Sequence, residues 1–152
     1  MFKEKMTLLE DALKKKALPS ITTFPSPYTK NAAGSGVIRI IFPEFTCVCP
    51  KTGYPDFASI DVYYLPAKTC IELKSWKLYL NSFRMIGSFH ETVTAHLFTT
   101  LKGLLKPKWL LLGARERGVG GERAAADRSH DDRAARGAAR AGARDGAVSA
   151  GA

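Results

Sequence analysis

Apolar residues follow a helical period near the N-terminus, and a β-strand pattern succeeds it. Four apolar positions spaced three or four residues apart predict a short amphipathic helix with lysines on its other face: Phe2, Met6, Leu9 and Leu13. Residues 18–35 are rich in Pro, Ser, Thr, Gly and Asn, which predicts an extended loop. Two β-branched runs, 36–42 and 58–65, each end at a proline and predict the strands of a hairpin.

A helical period returns from Leu73 onwards. It predicts a helix that stops near Gly87 and a second helix that ends at Pro107. Their apolar faces would be Leu73, Trp76, Leu80 and Phe83 in the first helix, and Val93, Leu97, Leu101, Leu104 and Leu105 in the second. The apolar run 109–112 predicts a third strand. Strand, strand, helix, helix, strand is the order of an α+β domain, not of alternating βαβ units.

The composition changes abruptly after Leu112. Residues 113–152 contain thirteen alanines, eight glycines and eight arginines, but no aromatic residue, Lys, Leu or Ile. Such a segment buries too little apolar surface to offset the entropy of ordering it. We therefore predict that 113–152 form a disordered tail and that the last strand of the sheet is missing. The tail is either a basic nucleic-acid arm or the product of a shifted reading frame. The interrupted strand favours the second interpretation.

Composition sets the broad class. A chain of 152 residues fits one domain, which we divide into 1–35 (helix and loop), 36–112 (core domain) and the tail. The formal charge of +9 suggests an anionic partner. No apolar window is long enough to span a membrane, and residues 1–18 lack the apolar centre of a secretory signal. Three cysteines without framework spacing favour a reduced, cytoplasmic protein.

The segment Phe45–Asp56 combines a thiol, a lysine and a carboxylate in a predicted loop. The Cys49 thiol attacks only as its thiolate, which a cation such as Lys51 would favour, and Asp56 could then pass on protons. The alternative is a small buried cysteine beside ordinary turn residues. We interpret Cys47 as structural and predict no metal site, because the Cys-x-Cys spacing has no second ligand pair and no suitably placed histidine.

The octet Glu72–Tyr79 (ELKSWKLY) places two lysines, Lys74 and Lys77, on one face at a predicted helix start. Backbone N–H groups there favour anions, so the pair could bind phosphate. An ordinary pair of exposed lysines is the alternative.

All eight positions of this octet match a motif of the QueF family, the NADPH-dependent nitrile reductases of queuosine biosynthesis, which the chain resembles. The sequence CPKTGYPD, residues 49–56, is similar to the family's Cys-Pro-Lys-Thr-Gly-x-Pro-Asp. Residues 81–84, followed by Gly87, Phe89, His90 and Glu91, also fit in order and spacing. Three linked motifs are far more specific than any one of them.

The resemblance implies a tunnelling fold (T-fold, ββααββ) and a short reductase domain at 36–112. It implies reduction of 7-cyano-7-deazaguanine (preQ0) to 7-aminomethyl-7-deazaguanine (preQ1) with NADPH. The partners implied are the free base and further copies of the chain, with sites at subunit interfaces, and neither tRNA nor a membrane. A cyclohydrolase or pterin enzyme of the same fold and a basic RNA-binding protein are the competing hypotheses.

The resemblance also assigns roles to residues. Cys49 would form a covalent thioimide with the nitrile carbon, and Asp56 would donate the proton. The remaining residues would bind the base (Ile71, Glu72, Leu73, His90 and Glu91) or the phosphates of the cofactor (Lys74, Ser75 and Lys77). Glu91 suits a guanine-like edge because a carboxylate accepts two hydrogen bonds. A structural or capping histidine is the alternative for His90. The chain departs from the family at its C-terminus, where the expected hydrophobic fourth strand is not evident.

Overall fold

Long antiparallel strands and two helices form the centre of the protein. The computed structural model describes residues 6–29, 36–116 and 122–126. The strands are β1 (Thr7–Leu8), β2 (Thr23–Pro25), β3 (Ile38–Val48), β4 (Pro55–Leu65), β5 (Thr69–Ile71), β6 (Ile86–Gly87), β7 (Trp109–Glu116) and β8 (Glu122–Ala126). The helices are α1 (Leu9–Lys14), α2 (Leu73–Asn81) and α3 (His90–Leu105), with 3₁₀ turns at Pro27–Thr29 and Ser82–Met85.

Six strands form one sheet in the order β1-β6-β3-β4-β7-β8, and β2 pairs with β5 in a second small sheet. The pairs β3–β4, β4–β7 and β7–β8 are antiparallel, whereas β6 runs parallel to both β1 and β3. The six main elements therefore follow the order β3, β4, α2, α3, β7, β8. This is the ββααββ order that the resemblance implies.

The β3–β4 hairpin is longer than the sequence pattern predicts. Pairing extends from Ile38↔Tyr64 to Val48↔Pro55, with a shift in register between Phe42 and Phe45. The predicted end of the first strand at Pro43 is wrong, because Pro43 lies in this bulge, where a missing N–H does not interrupt the ladder.

The loop between the strands is shorter than predicted, because both strands extend further. Only residues 49–54 connect the two strands, and Asp56 lies within β4 rather than in the loop. Asp56 is paired with Cys47 across the hairpin. The register of the sheet thus fixes the backbone of Asp56 opposite Cys47.

Helices α2 and α3 supply much of the hydrophobic core. Their fully buried residues include Trp76, Leu80, Val93, Leu97 and Leu101, as the helical period predicts, and Phe83 is buried in the 3₁₀ turn that follows α2. Leu73 and Leu104 are exposed, which contradicts their predicted place on the buried faces. Leu73 is the first residue of α2, where the helix has not yet turned onto the sheet.

The N-terminal helix is shorter than predicted. It begins at Leu9, because Thr7 and Leu8 instead pair with β6. Leu9 and Ala12 are buried, whereas Leu13 is exposed, so the buried face differs from the predicted one. Phe2 lies outside the described residues.

The C-terminal boundary predicted at Leu112 is wrong. Strand β7 continues to Glu116, and β8 pairs with it from Leu111↔Ala126 to Arg115↔Glu122. The last strand of the sheet is therefore present. Alanine-rich composition does not prevent this pairing, because an edge strand is held by backbone hydrogen bonds that any residue except proline can make. Residues 117–121 and 127–152 lie outside the described part, so the disordered tail stays a prediction there.

Candidate active site

The turn between β3 and β4 holds Cys49 in a defined conformation. The N–H of Cys49 donates to the carbonyl of Tyr54, and the N–H of Gly53 donates to the carbonyl of Cys49, each at 2.8 Å. Gly53 has φ 75°, a left-handed conformation that glycine adopts without strain. The hydroxyl of Thr52 accepts from the N–H of Tyr54 at 3.2 Å. The turn therefore fixes the backbone around Cys49.

The surroundings of Cys49 favour its thiolate. Hydrogen bonds from the Thr52 hydroxyl and backbone N–H lower the pKa of the Cys49 thiol, with a smaller contribution from the backbone of Lys51. The charge of Asp56 acts in the opposite direction. The predicted effect of Lys51 thus comes from its backbone, not from its ammonium group. Thr52, to which the sequence interpretation gave no role, is the main cause.

Cys47, two residues earlier, lies in the opposite environment. Its side chain is fully buried, and its Sγ donates to the carbonyl of Ser88 at 3.6 Å. Burial, followed by the negative charge of Asp56, raises the pKa of the Cys47 thiol to about 12. A thiol with this pKa remains protonated at neutral pH, so the two neighbouring cysteines differ sharply in reactivity.

Asp56 and His90 lie beside these cysteines. The Sγ of Cys47, a carboxylate oxygen of Asp56 and an imidazole nitrogen of His90 all lie within 4.8 Å of one another. The expectation that no histidine is suitably placed is wrong, since α3 begins with His90 next to the end of β3. Glu91, the next residue, is exposed in the first turn of α3. We call Cys47, Cys49, Asp56, His90 and Glu91 the turn end of the hairpin.

His90 is buried against protein on several sides. Its Nδ1 lies 3.3 Å from Oε1 of Glu116 in β7. Its ring meets the ring of Phe45 edge to face, with 6.2 Å between centroids. Glu116 belongs to the segment that the sequence interpretation assigned to the tail, so composition alone did not identify this contact.

The other predicted base-binding residues lie at the opposite end of the hairpin. A cleft of about 410 Å³ is lined there by Phe24, Ile38, Arg39, Ile40, Tyr64, Cys70, Ile71, Glu72 and Leu73. The N–H of Ile71 donates to the hydroxyl of Tyr64 at 3.1 Å, which ties β5 to β4. The volume suits a bicyclic base, since small-molecule sites usually measure about 300–1,000 Å³. We call Ile71–Lys77 with this cleft the cleft end.

Glu72 caps the helix that follows. Its carboxylate accepts from the N–H groups of Lys74 at 2.8 Å and Ser75 at 2.7 Å. These hydrogen bonds lower the pKa of the Glu72 carboxyl. The backbone donors predicted to attract a phosphate are therefore occupied by Glu72. A carboxylate has about four acceptor positions, so Glu72 retains capacity to accept from a ligand.

The residues predicted to bind cofactor fall into two environments. Ser75 is buried, and its hydroxyl donates to the carbonyl of Glu72 at 2.8 Å and accepts from the N–H of Thr22 at 3.0 Å. Lys74 and Lys77 are exposed on α2. Ser75 thus fixes the start of the helix, and the two lysines remain accessible to an anion.

One chain does not bring all the predicted residues together. Ten residue steps of β3 separate Val48 at the turn end from Ile38 at the cleft end. At about 3.3 Å per residue, the two ends lie roughly 30 Å apart. The predicted nucleophile and acid, Cys49 and Asp56, lie at one end, and the predicted base-binding residues Ile71, Glu72 and Leu73 lie at the other.

Comparison with known proteins places the chain in a family. The sequence profile of a family described as "QueF-like protein" matches residues 55–133, which is just over half of the chain. Two proteins named "NADPH-dependent 7-cyano-7-deazaguanine reductase" are similar. The one from Anaeromyxobacter sp. (strain K) is 50% identical over 90 residues, which cover 59% of this chain and 71% of that protein. The one from Aquifex aeolicus is 47% identical over 90 residues, covering 59% and 67% respectively.

A solved structure shows the same fold. The archaeosine synthase QueF-Like in its apo form superimposes with a TM-score of 0.58 at 20% identity, covering 64% of this chain and 99% of that chain. The predicted α+β tunnelling fold is therefore confirmed. The fold defines the chain as a T-fold protein. The chain belongs to the QueF-like family. None of its described helices has the length and apolar character that a membrane crossing requires.

Proposed function

We propose that this protein reduces the nitrile of 7-cyano-7-deazaguanine (preQ0) to the aminomethyl group of preQ1 in queuosine biosynthesis, with NADPH as the reductant. The observation that carries the proposal is the contrast between Cys49, whose pKa is lowered in a fixed turn, and the protonated Cys47 beside it. The similar proteins carry the name of this reductase. The site has the thiolate that covalent reduction of a nitrile needs.

Cys49 acts as the nucleophile. Its thiolate forms a bond to the nitrile carbon while one π bond of the C≡N group breaks, and the nitrogen takes up a proton. The product is a thioimide that stays attached to the protein. The fixed turn holds the sulfur in place, which reduces the entropy lost in reaching the attacking geometry.

Asp56 supplies the proton to the nitrogen. Its charge affects the pKa of both cysteines, so its carboxyl group lies within electrostatic reach of each sulfur. The register of β3 and β4 holds it there, opposite Cys47. When bound, NADPH would supply two hydrides. Between the two reductions the C–S bond to Cys49 breaks, and the sulfur leaves as the thiolate. The side chain of Asp56 is half-buried, so solvent can reach its carboxyl group and is the source of the protons that it passes on.

The base is held by groups from both ends. Ile71, Glu72 and Leu73 provide the floor and edge of the cleft, and His90 and Glu91 belong to the turn end. A carboxylate that accepts two hydrogen bonds from a guanine-like edge selects against bases that lack those donors.

A complete site on this proposal needs two subunits. Because the two ends lie roughly 30 Å apart in one chain, a single base reaches both only if the cleft end of one copy faces the turn end of another. We therefore propose a homo-oligomer with its sites at subunit boundaries. Exposed apolar residues near both ends are compatible with such contacts: Tyr54, Phe57, Phe89 and Leu73.

Lys74 and Lys77 are proposed to hold the phosphates of NADPH. They lie three residues apart in α2, on one exposed face, and provide positive charge there. Ser75 supports them indirectly, because its two hydrogen bonds fix the first turn of the helix.

The substrate on this proposal is the free base, so the reaction requires neither tRNA nor a membrane. A reaction that depends on a reduced thiol suits the cytoplasm, where thiols are kept reduced. Cys47, Cys49 and Cys70 are all free thiols in the structure.

The test is an adduct experiment on the intact protein. Incubation with preQ0 without NADPH should raise the mass of the chain by that of one base, and added NADPH should release preQ1 and free enzyme. The control ligand is 7-deazaguanine, which lacks the nitrile and should leave the mass unchanged. A folded oligomer that neither forms the adduct nor oxidises NADPH with preQ0 would contradict the proposal.

A further inference from the structure

Three potential metal ligands meet at the turn end and leave one polar group unsatisfied. Cys47, Asp56 and His90 bring a sulfur, an oxygen and a nitrogen within 4.8 Å of one another. They come from three separate elements, β3, β4 and the first residue of α3. The reaction proposed above uses Asp56 as the acid and His90 as a contact to the base, but it assigns no bond-forming role to Cys47.

His90 is the second observation that points to a ligand. Its side chain is 4% exposed, and neither ring nitrogen has a hydrogen-bond partner in the described part of the chain. Nδ1 lies 3.3 Å from Glu116 Oε1, but the contact lacks the geometry of a hydrogen bond. A buried imidazole without partners is costly, and binding a metal ion would satisfy it.

The spacing of the three groups suits zinc after a small adjustment. Zinc bonds measure about 2.3 Å to sulfur and about 2.0–2.2 Å to nitrogen and oxygen, so tetrahedral ligands stand roughly 3.3–3.8 Å apart. The present separations, up to 4.8 Å, exceed this by about one ångström. Rotation of the Asp56 side chain, which is half-buried, can supply most of that closure.

We propose that Cys47, Asp56 and His90 bind a zinc ion, and that the bound ion blocks the reductase reaction. Thiolate, imidazole and carboxylate together are a donor set that zinc prefers. Binding exchanges the thiol proton of Cys47 for the metal and releases that proton to solvent, with no change of oxidation state. The Glu116 carboxylate lies 3.3 Å from Nδ1 of His90, on the side where a ligating histidine usually receives its outer contact, although the two groups are not hydrogen-bonded in the structure.

The inhibitory part rests on the proposed function. A carboxylate bonded to zinc cannot carry the proton that the substrate nitrogen needs. Zinc should therefore slow nitrile reduction while leaving the fold intact, and removal of zinc with a chelator should restore the rate.

The binding test uses Co²⁺ as a spectroscopic probe, in the presence of a thiol-free reductant. The intact protein should bind one Co²⁺ per chain with a sulfur-to-cobalt charge-transfer band, and Zn²⁺ should displace it. Cys47→Ser should abolish the band. Cys70→Ser, a matched change of another buried thiol, and Cys49→Ser should both retain it. A band that persists in Cys47→Ser or disappears in Cys49→Ser would overturn the site, as would absence of Co²⁺ binding.

Two further variants keep the test valid if Cys47→Ser fails to fold. Asp56→Asn retains every thiol and should lower the affinity for zinc by about 10-fold or more. Loss of an outer contact to a ligand already costs that much, and Asp56 is itself a proposed ligand. Glu116→Gln should weaken zinc binding by about 10-fold. Unchanged zinc affinity in Asp56→Asn would exclude this ligand set.

The experiments distinguish failure of the zinc proposal from failure of the proposed reductase function. If Co²⁺ binds as described but zinc leaves the reduction rate unchanged, the inhibitory role is wrong and the site stands. If zinc-free protein does not reduce preQ0 at all, the proposed function fails, whereas the Co²⁺ spectrum still decides the site.

Discussion

The two ends of the β3–β4 hairpin differ in how the fold controls their polar groups. At the turn end, burial and hydrogen bonding separate two cysteines that are only two residues apart: Cys47 is fully buried, and Cys49 lies in an accessible turn. At the cleft end, the carboxylate of Glu72 caps the N-terminus of α2, and Lys74 and Lys77 remain exposed. On the proposed function, the turn end carries out the reaction and the cleft end recognises the base.

The difference shows that neither end is a complete enzyme site. The turn end holds the proposed nucleophile and acid, but the cleft of about 410 Å³ lies at the far end of the same strands. The cleft end has room for a base, but the thiol in its lining, that of Cys70, is buried. Variants that change one end at a time can therefore test whether the turn end carries out the reaction and the cleft end binds the base.

The largest effect is expected from removal of the reactive thiol. Cys49→Ala should abolish the covalent adduct with preQ0 and lower kcat/KM by at least about 10³-fold, since loss of a catalytic nucleophile can cost on the order of 10⁶. Cys47→Ala should still form the adduct, because its thiol is protonated and buried. Intact-protein mass spectrometry distinguishes the two. An adduct that survives in Cys49→Ala and disappears in Cys47→Ala would show that Cys47, not Cys49, is the nucleophile.

Asp56→Asn should give the next largest loss. The amide cannot donate an acidic proton, so nitrile reduction should slow by about 10²–10⁴-fold, the usual contribution of a general acid. Binding of the base should change much less, because Ile71, Glu72 and Leu73 are untouched. Single-turnover kinetics and equilibrium binding of preQ0 measure the two quantities. Equal losses in both would indicate that Asp56 binds the base rather than supplying a proton.

The proposal that each site combines the turn end of one subunit with the cleft end of another can be tested by mixing inactive variants. Leu73→Arg should block the cleft end without disturbing the core, since Leu73 is 59% exposed. Mixed oligomers of Leu73→Arg and Cys49→Ala should regain up to about one quarter of wild-type activity, if each site takes one end from each of two copies. The readout is NADPH oxidation after joint refolding or coexpression.

The matched control for this experiment mixes two variants of the same end. Cys49→Ala with Asp56→Asn should show no recovery, because no boundary then contains an intact turn end. Recovery in the control, or its absence in the Leu73→Arg mixture despite oligomer formation, would contradict sites shared between subunits.

The sequence predicted the types of elements better than the positions of their polar residues. Periodicity identified the two long helices, since Trp76, Leu80, Leu97 and Leu101 face the core. It ended the first strand at Pro43, because a bulge that accommodates proline depends on the partner strand and leaves no local signal. Linear spacing likewise gave no indication that α3 brings His90 to Cys47. Contacts between separate elements are set by the tertiary fold.

The candidate site was predictable where motifs are local. The turn residues 49–54 and the capped start of α2 follow from short sequence patterns, because their hydrogen bonds join residues within five positions of each other. Thr52 could have been recognised from its position three residues after Cys49 in a turn. The distance between the two ends could not be predicted from the sequence, since it depends on the full length of the paired strands.

A moderate effect is expected at the cleft end from the two lysines. The double change Lys74→Gln and Lys77→Gln should raise the KM for NADPH by roughly 10-fold or more, as expected for lost hydrogen bonds to a charged group. The yield of the adduct without NADPH should stay the same. Lys108→Gln, an exposed lysine in the connection before β7, is the control. A fall in adduct formation with unchanged KM would place these lysines at the base rather than at the cofactor.

The smallest effect concerns the pKa of Cys49 and sharpens the contrast between the two thiols. Hydrogen bonds from Thr52 favour the thiolate, so Thr52→Val should move the pH midpoint of Cys49 alkylation by iodoacetamide upwards and slow the reaction a few-fold at neutral pH. The backbone donors remain, which limits the change. Thr99→Val, an exposed position in α3, should leave the profile unchanged. A midpoint that does not move would mean that the backbone alone sets the reactivity of Cys49, whereas alkylation of Cys47 at neutral pH would remove the contrast itself.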